Sequence, residues 1–191
     1  MVRTSGAGRP IWSLVISLQM YAPRRCLAGW ARGVKGFHAT GRFMIGKGYM
    51  DLALEEARQA AARGEVPVGA VVVRDDVVLA RAGNRTRELN DVTAHAEILA
   101  IRQAADALSS ERLSGADLYV TLEPCTMCAA AISFARIRRL YFGAEDDKGG
   151  AVVNGVMFFS QPTCHHAPDV YPGLAAHDAM LLLKDFFKTR R

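Results

Sequence analysis

Acidic residues are missing from the first 50 positions, which carry eight of the 24 Lys and Arg and none of the 19 Asp and Glu. The formal net charge of +5 therefore belongs to this tail, because residues 51–191 set 16 basic side chains against 19 acidic ones and carry −3. A body of that charge excludes a uniformly basic surface, so any polyanion must be met by local patches, which a dimer can pool. Long apolar runs are also missing: Ile11–Leu18 falls short of the about 20 residues that a membrane-spanning helix needs, and no membrane association is expected. Cysteine is scarce at four residues, and a single Cys-x-x-Cys, at Cys125 and Cys128, has no second copy with which to close a structural zinc knuckle.

What is there is His95-Ala96-Glu97 and, after 26 intervening residues, Pro124-Cys125-Thr126-Met127-Cys128. Structural zinc sites are closed by four protein ligands, whereas catalytic ones use three and leave a fourth position to water. His95, Cys125 and Cys128 make three, and Glu97 adds a carboxylate that need not be a ligand. Two thiolates and a neutral imidazole blunt the acidifying effect of zinc on water, so a local base is required, and Glu97 is the candidate. H-x-E followed by P-C-x-x-C is the signature of the zinc nucleobase deaminases, in which the glutamate shuttles protons. A redox or purely structural role for Cys125 and Cys128 leaves His95 and Glu97 unexplained.

Apolar spacing predicts a helix over Ala94–Leu108 capped by Thr93, a buried strand over Ala116–Leu122, and a helix over Cys125–Ala135 with Pro124 at its start. The last of these puts both sulfurs on one helical face near an N-terminus that favours thiolate. Around them the sequence predicts a helix over Met50–Arg63 and a hairpin of Val68–Val73 and Val77–Ala82 turned at Asp75-Asp76. A strand over Arg139–Gly143 and a last helix over Ala175–Lys188 complete the set. Alternating strands and helices imply one sheet covered on both faces. Ala151–Tyr171 offers no readable chemistry, and Pro162, Pro168 and Pro172 mark its second half as irregular. Adjacent residues seldom share one ion, so Cys164-His165-His166 is assigned no metal.

Glu65 to Val73 (EVPVGAVVV), Gly83-Asn84-Arg85, Thr93 to Ile98, Tyr119 to Cys125 and Leu140 to Ala144 resemble the bacterial tRNA-specific adenosine deaminases. The likeness runs from about Tyr49 to Arg191. It implies a three-layer α/β/α sandwich of the cytidine-deaminase type, with a single mixed sheet. It also implies one Zn2+ per subunit, a homodimer in the cytoplasm, and conversion of the wobble adenosine of an arginine tRNA anticodon to inosine. On this resemblance His95, Cys125 and Cys128 bind zinc and Glu97 shuttles protons. Asn84 hydrogen-bonds the flipped base, although on sequence alone it reads as a turn residue after Gly83. Val66 and Pro124 wall the pocket, and the Ala96 backbone N–H contacts the base. Asp146 and Lys148 meet the anticodon backbone, and Phe186, Phe187, Lys188 and Arg190 end the last helix beside the RNA. One ring of the Phe186-Phe187 pair is expected in the core.

Two other functions remain open: a deaminase of a free base or nucleoside (guanine, cytosine or cytidine), whose zinc and glutamate are the same, and a non-catalytic, zinc-stabilised RNA-binding subunit. The latter has no use for Glu97. Residues 49–191 are expected to form the deaminase domain. Residues 1–48 read as an organelle-targeting segment, a secretory signal without an A-x-A-like cleavage site, a disordered extension, or an upstream start ahead of Met44 or Met50. The last is preferred because nothing in the tail serves the chemistry.

Overall fold

The structure, a computed structural model, describes residues 47–188 and 190. The expectations for the basic extension, including Cys26, lie outside them. The first helix, α1 (Lys47–Ala62), buries Met50, Ala53, Leu54, Ala57 and Ala60, an apolar stripe at helical spacing made mostly of alanine. Small side chains let the helix lie close on the sheet: a Cβ on Gly69 would collide with the Ala53 carbonyl oxygen and stand 2.6 Å from the Ala57 nitrogen.

The predicted hairpin is β1 (Gly69–Arg74) and β2 (Val77–Gly83). Asp75 and Asp76 both adopt positive φ, 49° and 61°, as a tight two-residue hairpin turn requires. A register shift after Val72 leaves Leu79 as the extra residue of β2. Next come α2 (Ala96–Leu108), β3 (Asp117–Leu122), α3 (Thr126–Phe134), β4 (Arg139–Ala144), a 3₁₀ turn at Phe158–Ser160, β5 (Asp169–Tyr171) and α4 (Ala176–Lys188).

The five strands form one mixed sheet in the order β2-β1-β3-β4-β5. β1 is antiparallel to both neighbours, while β3, β4 and β5 run parallel. Alternation along β1 assigns the faces. Ala70 and Val72 join Leu118, Val120, Leu140 and Phe142 in the core under Ala96, Ala100 and Ala104 of α2 and Ile132 of α3. Val71 and Val73 point the other way, with Tyr119, against Met50 and Ala53 of α1. Leu54, Ala144 and Ala179 join α1 to α4 on that same side. These are the three layers expected.

The second half of 151–171 is not wholly irregular. Asp169, Val170 and Tyr171 pair with β4. Pro168 and Pro172 bracket this strand and limit it to three residues, too few for a periodic signal. Tertiary contacts hold it instead: Tyr171 stacks on Tyr141 at 4.7 Å, and Tyr141 on Tyr119 at 4.5 Å. The Cys164–His166 segment is tied to the end of α3, with His166 Nε2–H donating to the Ile137 carbonyl at 2.6 Å and Arg136 donating to the His165 carbonyl at 2.9 Å.

Candidate active site

Two helix N-termini meet beyond the C-terminal end of β3, and each opens on a candidate ligand. His95 is the N-cap of α2 and Cys125 the N-cap of α3, both with extended backbone and neither making a side-chain cap. The cap position thus presents each side chain outward, and the helix ends favour negative charge between them. Both helix starts differ from the sequence expectation. α2 begins at Ala96 rather than Ala94, because Thr93 turns back on Asp91: its N–H and hydroxyl both donate to Asp91 Oδ1, at 2.8 and 2.7 Å. Pro124 precedes the cap of α3 instead of opening the helix.

The ligating atoms of His95, Cys125 and Cys128 all lie within 4.8 Å of one another, the one such grouping found among the described residues. His95 Nδ1 is 3.8 Å from Cys125 Sγ and 3.5 Å from Cys128 Sγ. Tetrahedral zinc with ordinary bond lengths would separate nitrogen from sulfur by about 3.5 Å, so the donor set fits the ion. The Cys128 thiol, ahead of His95, holds Cys125 down to about 4 against the opposing effect of burial. Cys128 is pushed up by its hydrogen bond to Cys125 and by burial, and the hydrogen bond to Cys125 raises His95. Glu97 is 3% exposed, and burial raises its carboxyl above the ordinary range. A carboxyl so raised suits a group that must take up and release a proton.

His95, Glu97 and Cys125 open onto a cleft of about 310 Å3, with Cys128 buried behind them, and its other walls include Val66, Val68, Asn84, Thr86, Leu122, Glu123, Asp146 and Gly149. A wider cleft of about 680 Å3 shares Val66, Leu122, Asp146 and Gly149 with it and extends to Lys148, Phe187 and Arg190. Asn84 is buried and its Oδ1 accepts from the Ala96 N–H at 2.8 Å. The Ala96 N–H, expected to contact the base, is here donated to Asn84 and caps α2. Pro124 is buried, with its carbonyl accepting from the Ala151 N–H at 3.0 Å, and is not among the residues that line either cleft. Neither phenylalanine is core. Phe187 is 49% exposed, and Phe186 is half-buried with the Arg190 guanidinium 4.0 Å over its ring. α4 is the outermost helix and fully buries only Ala179, so it has no interior to offer a ring.

Two buried carboxylates escaped the sequence reading. Glu65 Oε1 accepts from the N–H groups of Arg87 and Glu88, at 3.0 and 2.8 Å, and Oε2 from the Thr86 hydroxyl at 3.1 Å, shaping the loop after Asn84. Glu123 does the same for the segment carrying Asp146. Burial pushes its carboxyl up, but donors on Asn154, Asp146 and Val153 outweigh this and hold it below the usual range. The signal available was an acidic residue set between apolar neighbours, as in Leu122-Glu123-Pro124 and Gly64-Glu65-Val66.

Residues 46–191 match the MafB19-like deaminase family. A tRNA-specific adenosine deaminase of Agrobacterium fabrum is 71% identical over 143 residues, covering 75% of this chain and 94% of that protein. The chain belongs to the tRNA-specific adenosine deaminase family. Within this family of hydrolases, a solved structure from a study of A-to-I editing by tRNA:A34 deaminases at the wobble position of transfer RNA is 73% identical. It covers 71% of this chain and 99% of its own, with a TM-score of 0.71. A guanine deaminase from Nitrosomonas europaea shares the architecture at 25% identity and a TM-score of 0.66, covering 74% of this chain and 84% of its own. Among the described residues no helix is long and apolar enough to cross a membrane.

Proposed function

We propose that this chain hydrolyses the adenosine at the wobble position of a tRNA anticodon, by family resemblance that of an arginine tRNA, to inosine and ammonia. The observation that carries the reading is a buried Glu97 beside His95, Cys125 and Cys128 at a cleft that widens toward Lys148, Phe187 and Arg190. Zinc held by those three residues would supply Lewis acidity that makes a water molecule nucleophilic near neutral pH. Glu97 takes the proton released as water adds to C6 of the base and delivers it to the ring nitrogen N1, then takes the proton of the new C6 hydroxyl and passes it to the amine, so that the C6–N bond breaks, ammonia leaves and the carbonyl of inosine forms. Asn84, whose oxygen accepts from the Ala96 N–H, offers its amide N–H groups to the base. Val66 supplies an apolar wall, Asp146 and Lys148 face the sugar-phosphate backbone, and Phe187 with Arg190 gives a stacking and phosphate-binding edge.

A homodimer with one zinc per subunit is part of this reading. It is supported by exposed Phe134, Val153, Val156 and Met157, on the end of α3 and on the segment leading to the 3₁₀ turn that packs against it. Reduced thiolates and a tRNA substrate support a cytoplasmic location in this reading. The test is zinc-dependent inosine formation, comparing an anticodon stem-loop bearing a wobble adenosine with free adenosine, cytidine and guanine, and with Glu97→Ala as control. Inosine in the stem-loop alone, lost in Glu97→Ala, is expected. Ammonia from a free base instead would move the chain to the chemistry of its guanine-deaminase neighbours, and stem-loop binding without ammonia would make it a non-catalytic subunit.

A further inference from the structure

Glu123 directly follows β3, and its side chain bonds the chain that follows β4. Its Oε1 accepts from three consecutive backbone N–H groups, those of Val152, Val153 and Asn154, at 3.0, 2.9 and 2.9 Å. Its Oε2 accepts from the Asp146 N–H at 3.0 Å and from the Asn154 side-chain amide at 2.7 Å. Successive N–H groups converging in this way form a concave anion site, here filled by a carboxylate of the same chain. Five donors on one side chain require a group that only accepts, which glutamate is and glutamine is not. The loop sits directly on the carboxylate: a Cβ on Gly150 would collide with the Asp146 carbonyl and stand 2.6 Å from Glu123 Oε2.

Between β4 and the 3₁₀ turn there is no helix or strand to fix the backbone. The Asp146 side chain, held in place this way, turns the loop by accepting from the N–H groups of Lys148 and Gly149 at 3.1 and 3.0 Å. Asp146 and Lys148 line the wider cleft, and Glu123 itself reaches the inner one. One carboxylate thus spans the distance between the ligand-bearing end of α3 and the mouth of the cleft.

We propose that Glu123 is a positioning residue which, by gathering the 146–154 segment onto its carboxylate, sets where Asp146 and Lys148 meet the substrate and so governs recognition of the RNA rather than the chemical step. The assignment of RNA as substrate rests on the function proposed above; the loop-holding role does not. In Glu123→Gln an amide nitrogen faces the Asp146 N–H and the Asn154 amide, donor against donor. Asn154→Asp alone sets two carboxylates together, whereas the double variant restores one donor–acceptor pair.

The experiment compares the zinc-loaded full chain with Glu123→Gln, Asn154→Asp, the double variant and Gly150→Ala. It reads kcat and KM on an anticodon stem-loop, bound zinc, and amide hydrogen exchange. Glu123→Gln is expected to raise KM at least tenfold with kcat within about threefold, unchanged zinc, and exchange at least tenfold faster at 152–154 but not in α2 or β3. The double variant is expected to do better than either single one. Gly150→Ala, which keeps the carboxylate but displaces the loop, is expected to raise KM in the same way. An unchanged KM and exchange rate, a fall in kcat with loss of zinc at constant KM, or a double variant no better than the product of the singles would overturn the proposal. Should Glu123→Gln not fold, an unchanged KM in Gly150→Ala would overturn it as well. A wild-type chain inactive on the stem-loop would sink the substrate assignment, while the exchange and rescue data still decide the loop-holding role.

Discussion

At the scale of single residues, burial and hydrogen bonding separate chemistry from support. Glu97 is buried beside two sulfurs and an imidazole, so Glu97→Gln removes the proton acceptor while also relieving a buried charge. We expect kcat to fall by at least about 10³-fold, near the upper part of the range for general acid–base groups, with zinc content intact and a melting temperature no lower than wild type. Single-turnover inosine formation and metal analysis check this. On the function proposed above Asn84 carries two roles that substitution can part, because its oxygen caps α2 and the residue lines the inner cleft. Asn84→Ala should lose both the base contact and a cap contributing about 1 kcal/mol. Asn84→Asp keeps the acceptor for Ala96, so it should retain the melting temperature and lose kcat/KM. If both variants melted alike and turned over alike, the base-contact role would be wrong.

Elements owe their placement to the small residues between them. The stripe of alanines in α1 was legible from spacing, and so was the Asp75-Asp76 turn. What the spacing leaves open is how closely helix and sheet approach, which Gly69 decides against Ala53 and Ala57. Gly69→Ala pushes a methyl group into helix backbone that cannot yield, and should cost about 3 kcal/mol, the upper part of the range for overpacking. Urea titration measures it, and Gly173→Ala, with nothing within 4 Å of the new methyl group but a φ of +85°, provides a comparison in which only backbone strain acts. The helix starts were misjudged at Thr93 and Pro124 for one reason. Both N-cap positions are occupied by His95 and Cys125, residues that preference scales do not favour there, and the missing cap of α2 comes from Asn84, 12 residues away in sequence. β5 escaped because two prolines cut it to three residues and stacked tyrosines do the work of periodicity.

On the scale of the whole molecule, the His95, Cys125 and Cys128 group joins the starts of two helices, and Lys148 and Arg190 stand at the cleft. Since His95 and Cys125 stand at the N-cap positions of α2 and α3, an ion held between them would tie the two helices together, so chelating zinc should abolish turnover and lower the melting temperature together, with both restored by added Zn2+. Loss of activity at an unchanged melting temperature would show that the ion carries no part of the fold. Because the ligands must shed protons to bind the ion, the chelated protein should take zinc back less well as the pH falls. Residues 51–191 carry −3, so stem-loop binding must depend on a few cations at the cleft, Lys148 and Arg190 among them. Affinity should fall as salt rises, and Lys148→Ala or Arg190→Ala should each reduce the log–log slope by about 0.7, the value for one single-strand phosphate. Titrations at several salt concentrations read that slope directly.

The sequence by itself determined the chemistry and the layers. The three candidate ligands and Glu97 sit within local motifs of fixed spacing, and alternation along strands such as β1 assigns faces without reference to the rest of the chain. Tertiary structure alone decided how the cleft is walled. The hydrogen bonds of Glu65 and Glu123 join segments 21 to 31 residues apart and end mostly on backbone N–H groups, which every residue but proline carries. Such bonds leave no pattern in the order of side chains, so they appear only when the chain has folded and brought the carboxylates to their loops.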